Sequence, residues 1–179
     1  MKRFAVALAI LLISAAAAEA AGLKLASADL AAGEFVPRFI YDQSGCSGGN
    51  HSPALAWSDP PAGTKSFAVT VFDPDAPTGR GWWHWVVYDI PASLRALPQD
   101  AGAASGSNLP PGARQTDNDF GGPGYGGPCP TPGSPHRYVF TLYALDAAAI
   151  AAGSGPAEVA TGLKPHALAE ASFIVSYGR

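Results

Sequence analysis

Apolar residues fall along this chain in short runs bounded by glycine, proline, asparagine and aspartate, the punctuation of a β protein rather than of a helical one. The runs predict strands over residues 23–26, 55–57, 66–72, 84–90 and 136–145. Those over 66–72 and 137–145 are apolar at both parities, which places them centrally in a sheet with cover on both faces. Helical patterning is confined to the end of the chain. Residues 156–163 and 165–171 each carry the alanine, leucine and glutamate of one short helix, with proline at or near the first turn. Residues 172–177 then predict a last short strand. The expected architecture is mainly β, a sandwich with short peripheral and C-terminal helices.

The stretch 98–135 fits neither period. It is rich in glycine and proline, and an irregular segment of that length inside a compact domain is either a disordered insert or a functional loop. Its second half contains Phe120, Tyr125 and Cys129, which favours an ordered wall.

At 179 residues, 47% hydrophobic and 14% charged, the chain suits one domain with a core of ordinary size. The first twenty residues stand apart from it. Lys2 and Arg3 precede an apolar run over 4–13 and then small residues ending in Ala18-Glu19-Ala20, the pattern of a secretory signal peptide cleaved near Ala20. The expected product is residues 21–179, periplasmic or secreted, with no segment apolar enough to cross a bilayer. Removing the leader leaves nine basic and thirteen acidic residues, a net charge of −4, and the basic residues are scattered singly, so nucleic-acid binding is not expected. Export also puts Cys46 and Cys129 where a disulfide persists; a bridge, two free thiols and a redox pair all stay open at this point.

Candidate chemistry gathers at strand ends. Asp73-Pro74-Asp75-Ala76-Pro77 follows the run 66–72, and Trp82-Trp83-His84-Trp85 opens the next strand. Period two puts His136 and Tyr138 on one face, continued inward by Phe140 and Leu142, and likewise puts His84 with Val86 and Tyr88. Asp73, His84, His136 and Tyr138 thus make a small polar cluster on an apolar floor, the make-up of a small-ligand site. Each alone is a common structural residue: histidines at strand ends are often half-exposed, and Asp-Pro is a frequent turn. Three readings follow from the cluster. One is a binding module without catalytic residues, cofactor or metal. A second is a hydrolase with His84 or His136 as general acid-base and Asp73 orienting it. The third is a His-His-Asp centre for zinc or iron.

The ordered series Asp73-Pro74-Asp75-Ala76-Pro77, Gly81-Trp82-Trp83-His84-Trp85 and Gly127-Pro128-Cys129-Pro130 leading to His136-Arg137-Tyr138-Val139-Phe140 resembles the phosphatidylethanolamine-binding protein family, in its bacterial branch labelled Raf kinase inhibitor-like. Gly45-Cys46-Ser47-Gly48-Gly49-Asn50, Ser52-Pro53 and His166-Ala167-Leu168-Ala169-Glu170 extend the resemblance from about Leu23 to the C-terminus. It implies a β-sandwich-like fold and a pocket for phosphate, acetate or a phosphorylated head group. The polar groups would be Asp73, His84 and His136, with Pro77, Trp82, Gly127, Pro128 and Tyr138 as walls. It also implies a cis Ala76–Pro77 bond, homodimer formation, and inhibition of a partner enzyme that no residue here identifies. The chain departs from the bacterial pattern at Thr131, where proline is common. A carboxylate beside two imidazoles is expected to favour imidazolium at both rings and so to attract an anion.

Overall fold

The computed structural model describes residues 22–151 and 153–179, so the expected signal peptide lies outside the described residues. In chain order the strands are β1 (Lys24–Ala26), β2 (Leu55–Ser58), β3 (Ser66–Asp73), β4 (Trp82–Pro91), β5 (Ala96–Leu97), β6 (Arg114–Gln115) and β7 (His136–Leu145); helix α1 (Pro156–Leu163) and strand β8 (Ala167–Tyr177) complete them. They form two antiparallel sheets, one of order β1-β2-β5 and one of order β6-β4-β3-β7-β8.

The doubly apolar runs take the central places their composition requires. On one face of the larger sheet Phe67, Val69, Val71, Trp85, Tyr138, Phe140 and Leu142 meet Leu55, Trp57 and Leu97 of the smaller sheet. On the other face Ala68, Val86, Tyr88, Tyr143 and Leu145 are covered by Val159 and Leu163 of α1. Both sides of β3 are therefore dry, as are those of β7 from Leu142 to Leu145, which is why these stretches show no alternation. At the start of β7 burial does alternate, with Arg137 exposed and Val139 and Thr141 half-buried.

The second predicted helix does not form. After a single 3-10 turn at Lys164–His166 the chain runs straight into β8, which pairs with β7 from Ala167 opposite Leu145 to Tyr177 opposite His136. Alanine, leucine and glutamate favour a helix locally, but a helix here would leave the hydrogen-bonding edge of β7 unpaired. In the strand, Ala169, Ala171, Phe173 and Val175 turn inward while Leu168, Glu170, Ser172 and Ile174 turn outward, a period-two pattern masked by the small size of alanine.

Two β-bulges interrupt the pairing of β3 with β4. Val71 opposes Trp85 and Phe72 opposes Trp83, so His84 is an extra residue on β4. Phe67 opposes Ile90 and Val69 opposes Val87, with Asp89 at a positive φ of 57° in the second bulge. A bulge turns the following side chains over, so strict alternation along β4 fails at both places.

The segment 98–135 is ordered against the open side of β4. Thr116 N–H bonds to Val86 O, Asp119 N–H to Trp83 O and Gly126 N–H to His84 O, while Tyr125 O–H donates to Phe39 O. Cys46 and Cys129 are bridged, their Cα atoms 6.0 Å apart across a sequence separation of 83. Closing so long a loop restricts the unfolded chain strongly, by about 4–5 kcal/mol on chain-entropy grounds, with measured losses of native disulfides at 2–5. A Cys46→Ser, Cys129→Ser double variant is expected to lose about 2–4 kcal/mol in urea unfolding; a change below about 1 kcal/mol would show that the bridge does not restrain the loop.

Candidate functional site

β3 ends where Asp73 meets Pro74, which has no N–H to continue the ladder. The Asp73 side chain takes over: its Oδ1 accepts Asp75 N–H at 2.8 Å, closing a turn of the kind aspartate forms with its own backbone. Its Oδ2 accepts the Nδ1 proton of His136 at 2.7 Å, across the sheet from the first residue of β7. Asp73 is only 3% exposed, so both oxygens are satisfied inside the protein. Just outside, Arg137 grips Asp75 through its Nε, its guanidinium NH2 and its backbone N–H. Those bonds hold the Asp75 carboxyl down at about 2 and tie the 73–77 turn to β7.

The bulge in β4 decides where His84 goes. By simple alternation it would share the α1-facing side with Val86 and Tyr88; instead it lies on the opposite face, edge-on to Tyr138 with ring centroids 5.1 Å apart and to Phe120 at 5.5 Å. The ring is fully buried. Its Nδ1 donates to Gly126 O at 2.6 Å, while Gly126 N–H returns to His84 O, so the loop pairs the residue that the bulge leaves without a strand partner. Only glycine fits there, since a Cβ on residue 126 would lie 2.6 Å from the Phe120 ring.

Asp73, His84, His136, Tyr138, Trp82 and Pro77 line one cavity of about 220 Å³, together with Ala76, Thr78, Phe120, Cys129, Pro130 and Thr131. Its walls are mostly apolar. A second, polar groove lined by Asp75, Ser134 and Arg137 adjoins it and shares Pro77, Thr131 and His136. Gly127 and Pro128, expected as wall, are absent from the lining. They sit behind it: Gly127 N–H donates to Asn50 Oδ1, Pro128 O accepts Tyr41 N–H, and a Cβ on residue 127 would strike Phe39 O. Phe120 escaped the sequence reading because nothing periodic surrounds it. Its local signal is Asn118, whose Oδ1 accepts Phe120 N–H, and its position is set by stacking on Tyr41 at 3.9 Å.

Two expectations about the site's chemistry change. The Ala76–Pro77 bond is trans, the turn being closed instead by Thr78 N–H to Ala76 O at 2.7 Å. His84 is not an imidazolium near neutral pH: burial outweighs its bond to Gly126 O and the charge of Asp73, and lowers it from 6.5 to about 4. Tyr138 moves the other way. Burial and the nearby Asp73 push its hydroxyl far above the usual range, so it stays a donor. Its O–H and the Nε1–H of Trp82 are buried without a hydrogen-bond partner.

Among the described residues no three His, Cys, Asp or Glu side chains converge as metal ligands. Gly45-Cys46-Ser47-Gly48-Gly49 has the letters of a nucleophile elbow, but Ser47 lies in irregular chain rather than at a strand-to-helix turn.

Neutral His84 links the site to stability. As pH falls, the unfolded chain takes up a proton at about 6.5 and the folded one only near 4, so the contribution is complete above 6.5 and is lost on the way down to 4. The loss is on the order of 3 kcal/mol. Urea unfolding of the protein and of His84→Gln between pH 7 and 4.5 is expected to show a shallower fall for the variant. Parallel curves would mean that His84 does not supply that proton.

The geometry can be set beside known proteins. The family model described as phosphatidylethanolamine-binding protein matches residues 26–178. The YbhB protein of Escherichia coli K12 is 48% identical over 158 residues, 87% of this chain and 99% of its own, and YbcL of the same strain is 53% identical over 130 residues, 72% and 71% of the two chains. The crystal structure of E. coli YbcL covers 89% of this chain and 99% of its own with a TM-score of 0.85 at 45% identity. A homologue from Chlamydia trachomatis superposes with a TM-score of 0.71 at 30% identity, over 88% and 98%. With its motifs, its two antiparallel sheets and its C-terminal helix all in agreement, this chain belongs to the phosphatidylethanolamine-binding protein family.

Proposed function

We propose that this chain is an exported, non-catalytic binding protein whose cavity holds a small anion or a phosphorylated head group. One observation carries the reading. Three buried side-chain polar atoms lack a partner among the described residues, and two of them, Tyr138 O–H and Trp82 Nε1–H, belong to residues on the wall of the same cavity. Leaving a buried donor unsatisfied costs about 1–3 kcal/mol. A ligand rich in acceptor oxygens relieves both, and a cation relieves neither.

Neutral donors also explain how an acidic protein can hold an anion although the His84 ring carries no charge. The apolar walls of Pro77, Phe120 and Pro130 lower the local dielectric and strengthen each hydrogen bond to it. The family's description supports a phosphorylated head group as occupant. The Cys46–Cys129 bridge supports an oxidising compartment, where such a bond persists.

Tyr138→Phe separates binding from folding. It removes a hydroxyl that has no partner in the protein, so stability should hold or rise slightly. Losing a hydrogen bond to a charged ligand costs about 1.5–3 kcal/mol, so the affinity for inorganic phosphate or phosphoethanolamine, read by calorimetric titration, should fall roughly 10- to 100-fold. Unchanged affinity in the variant would rule out this cavity as the anion site.

A further inference from the structure

Three of the seven residues from Cys129 to Pro135 are proline and bring no N–H, so this stretch of the wall has few means of fastening itself. Residues 125–128 just before it are tied one by one: Tyr125 N–H bonds to Gly102 O, Gly126 N–H to His84 O, Gly127 N–H to Asn50 Oδ1, and Pro128 O accepts Tyr41 N–H. From Cys129 to the start of β7 the backbone makes two hydrogen bonds among the described residues, and both involve Arg179. Pro130 O accepts from its guanidinium, and Gly133 N–H donates to its carbonyl. The other fastening is the bond from Cys129 to Cys46.

That bond stands between two hollows. Cys129, Pro130 and Thr131 line the cavity, while Cys46 lines a separate cleft of about 280 Å³ between the 45–48 loop and the C-terminal Tyr177 and Arg179. Both cysteines are half-buried, so no closed core shields the bridge from thiol exchange. Arg179 runs alongside it: the guanidinium reaches Pro130 O, next to Cys129, and Gly45 O, next to Cys46. The opposite rim does not depend on the bridge, since the 73–77 turn is held by Asp73 and Arg137 and His84 is held by Gly126.

We propose that the Cys46–Cys129 bond is a redox latch on the cavity: the bridged chain holds the wall and its ligand, and the dithiol chain frees residues 129–134 and lets the ligand go. This rests on the anion-binding reading above and adds its regulation. The reductant is a dithiol. One of its thiolates attacks the Cys46 sulfur from the cleft, the S–S bond breaks, and Cys129 leaves as a thiolate that takes up a proton. The second thiol of the reductant loses its proton and displaces Cys46 from the mixed disulfide, and Cys46 is protonated in turn. Two electrons have then passed to the protein, which holds two thiols, while the reductant carries the disulfide. Arg179 keeps the two loops side by side in the reduced chain, so the latch closes again when a disulfide oxidant takes the two electrons back.

Nitrogen-15 relaxation and calorimetric titration with phosphoethanolamine test it, on the purified protein as oxidised, after reduction by dithiothreitol, and after reoxidation by oxidised glutathione. In the reduced protein the heteronuclear NOE at Thr131, Gly133 and Ser134 should drop to that of a mobile loop while residues 83–88 of β4 stay rigid. Affinity for phosphoethanolamine should fall about tenfold or more, and reoxidation should restore both. Equal affinity in the two redox states would overturn the latch and leave the anion site standing. No binding by the oxidised protein would remove the anion reading, and ligand release with it. The relaxation data judge the wall on their own. Unchanged values at 131–134 would refute the latch because the wall does not need the bridge, and a loss extending through β4 would refute it because the whole fold does. A bridge that withstands excess dithiothreitol in the folded protein would refute it as well.

Discussion

Asp73 places a carboxylate at the buried end of a central strand, and an ionised group in that position survives only if its lone pairs are filled. Much of the site can be understood as the means of filling them. One oxygen turns the chain at Pro74 and Asp75, which fixes the rim of the cavity. The other takes the Nδ1 proton of His136, which fixes the tautomer and plane of that ring and joins β3 to the start of β7. The Arg137–Asp75 fork repeats the same join on the outer side. The rim is thereby tied to two adjacent strands rather than left as a free loop, as a site that must hold its geometry requires.

The second element is a displacement of one residue. Without the bulge at His84, the period of β4 would send that ring toward α1 and leave the cavity with a single imidazole. The extra residue costs a strand pairing, and the loop supplies the replacement through Gly126 in both directions. That replacement also determines the chemistry. Because the Gly126 carbonyl accepts from Nδ1, the neutral His84 ring on the cavity wall carries its proton on that nitrogen, beside a tryptophan that can only donate and a tyrosine that can do both. Polarity in the cavity therefore comes from the Asp73–His136 pair together with oriented neutral groups.

The long glycine- and proline-rich segment completes the wall because it is pinned at several points. The disulfide ties it to the loop at Cys46, Phe120 is stacked on Tyr41, and Arg179 donates to Pro130 O and Gly45 O from the C-terminus. Proline restricts its backbone before folding and glycine permits its close approaches. Gly126 and Gly127 are sites where a side chain would strike Phe120 and the 39–41 backbone.

Strands β3 and β7, the double-sided burial of β3, helix α1 and the residues Asp73, His136 and Tyr138 were legible in the sequence because each depends on periodicity or turn chemistry within a few residues, while Pro77 and Trp82 were legible only through the family resemblance. Strands β5 and β6 were not: two residues carry no period, and their pairing is supplied by distant partners. The first half of β8, up to Ala171, was misread as a helix because alanine-rich alternation looks helical until the unpaired edge of β7 is taken into account, whereas 172–177 was legible as strand. The sequence by itself determined which chemical groups stand at the strand ends. Only the tertiary structure decided which way His84 points, which of its nitrogens is free and that Gly127 and Pro128 lie behind the wall. A bulge, a tautomer and a loop's depth are all set by contacts between residues far apart in the chain, where local pattern has no hold.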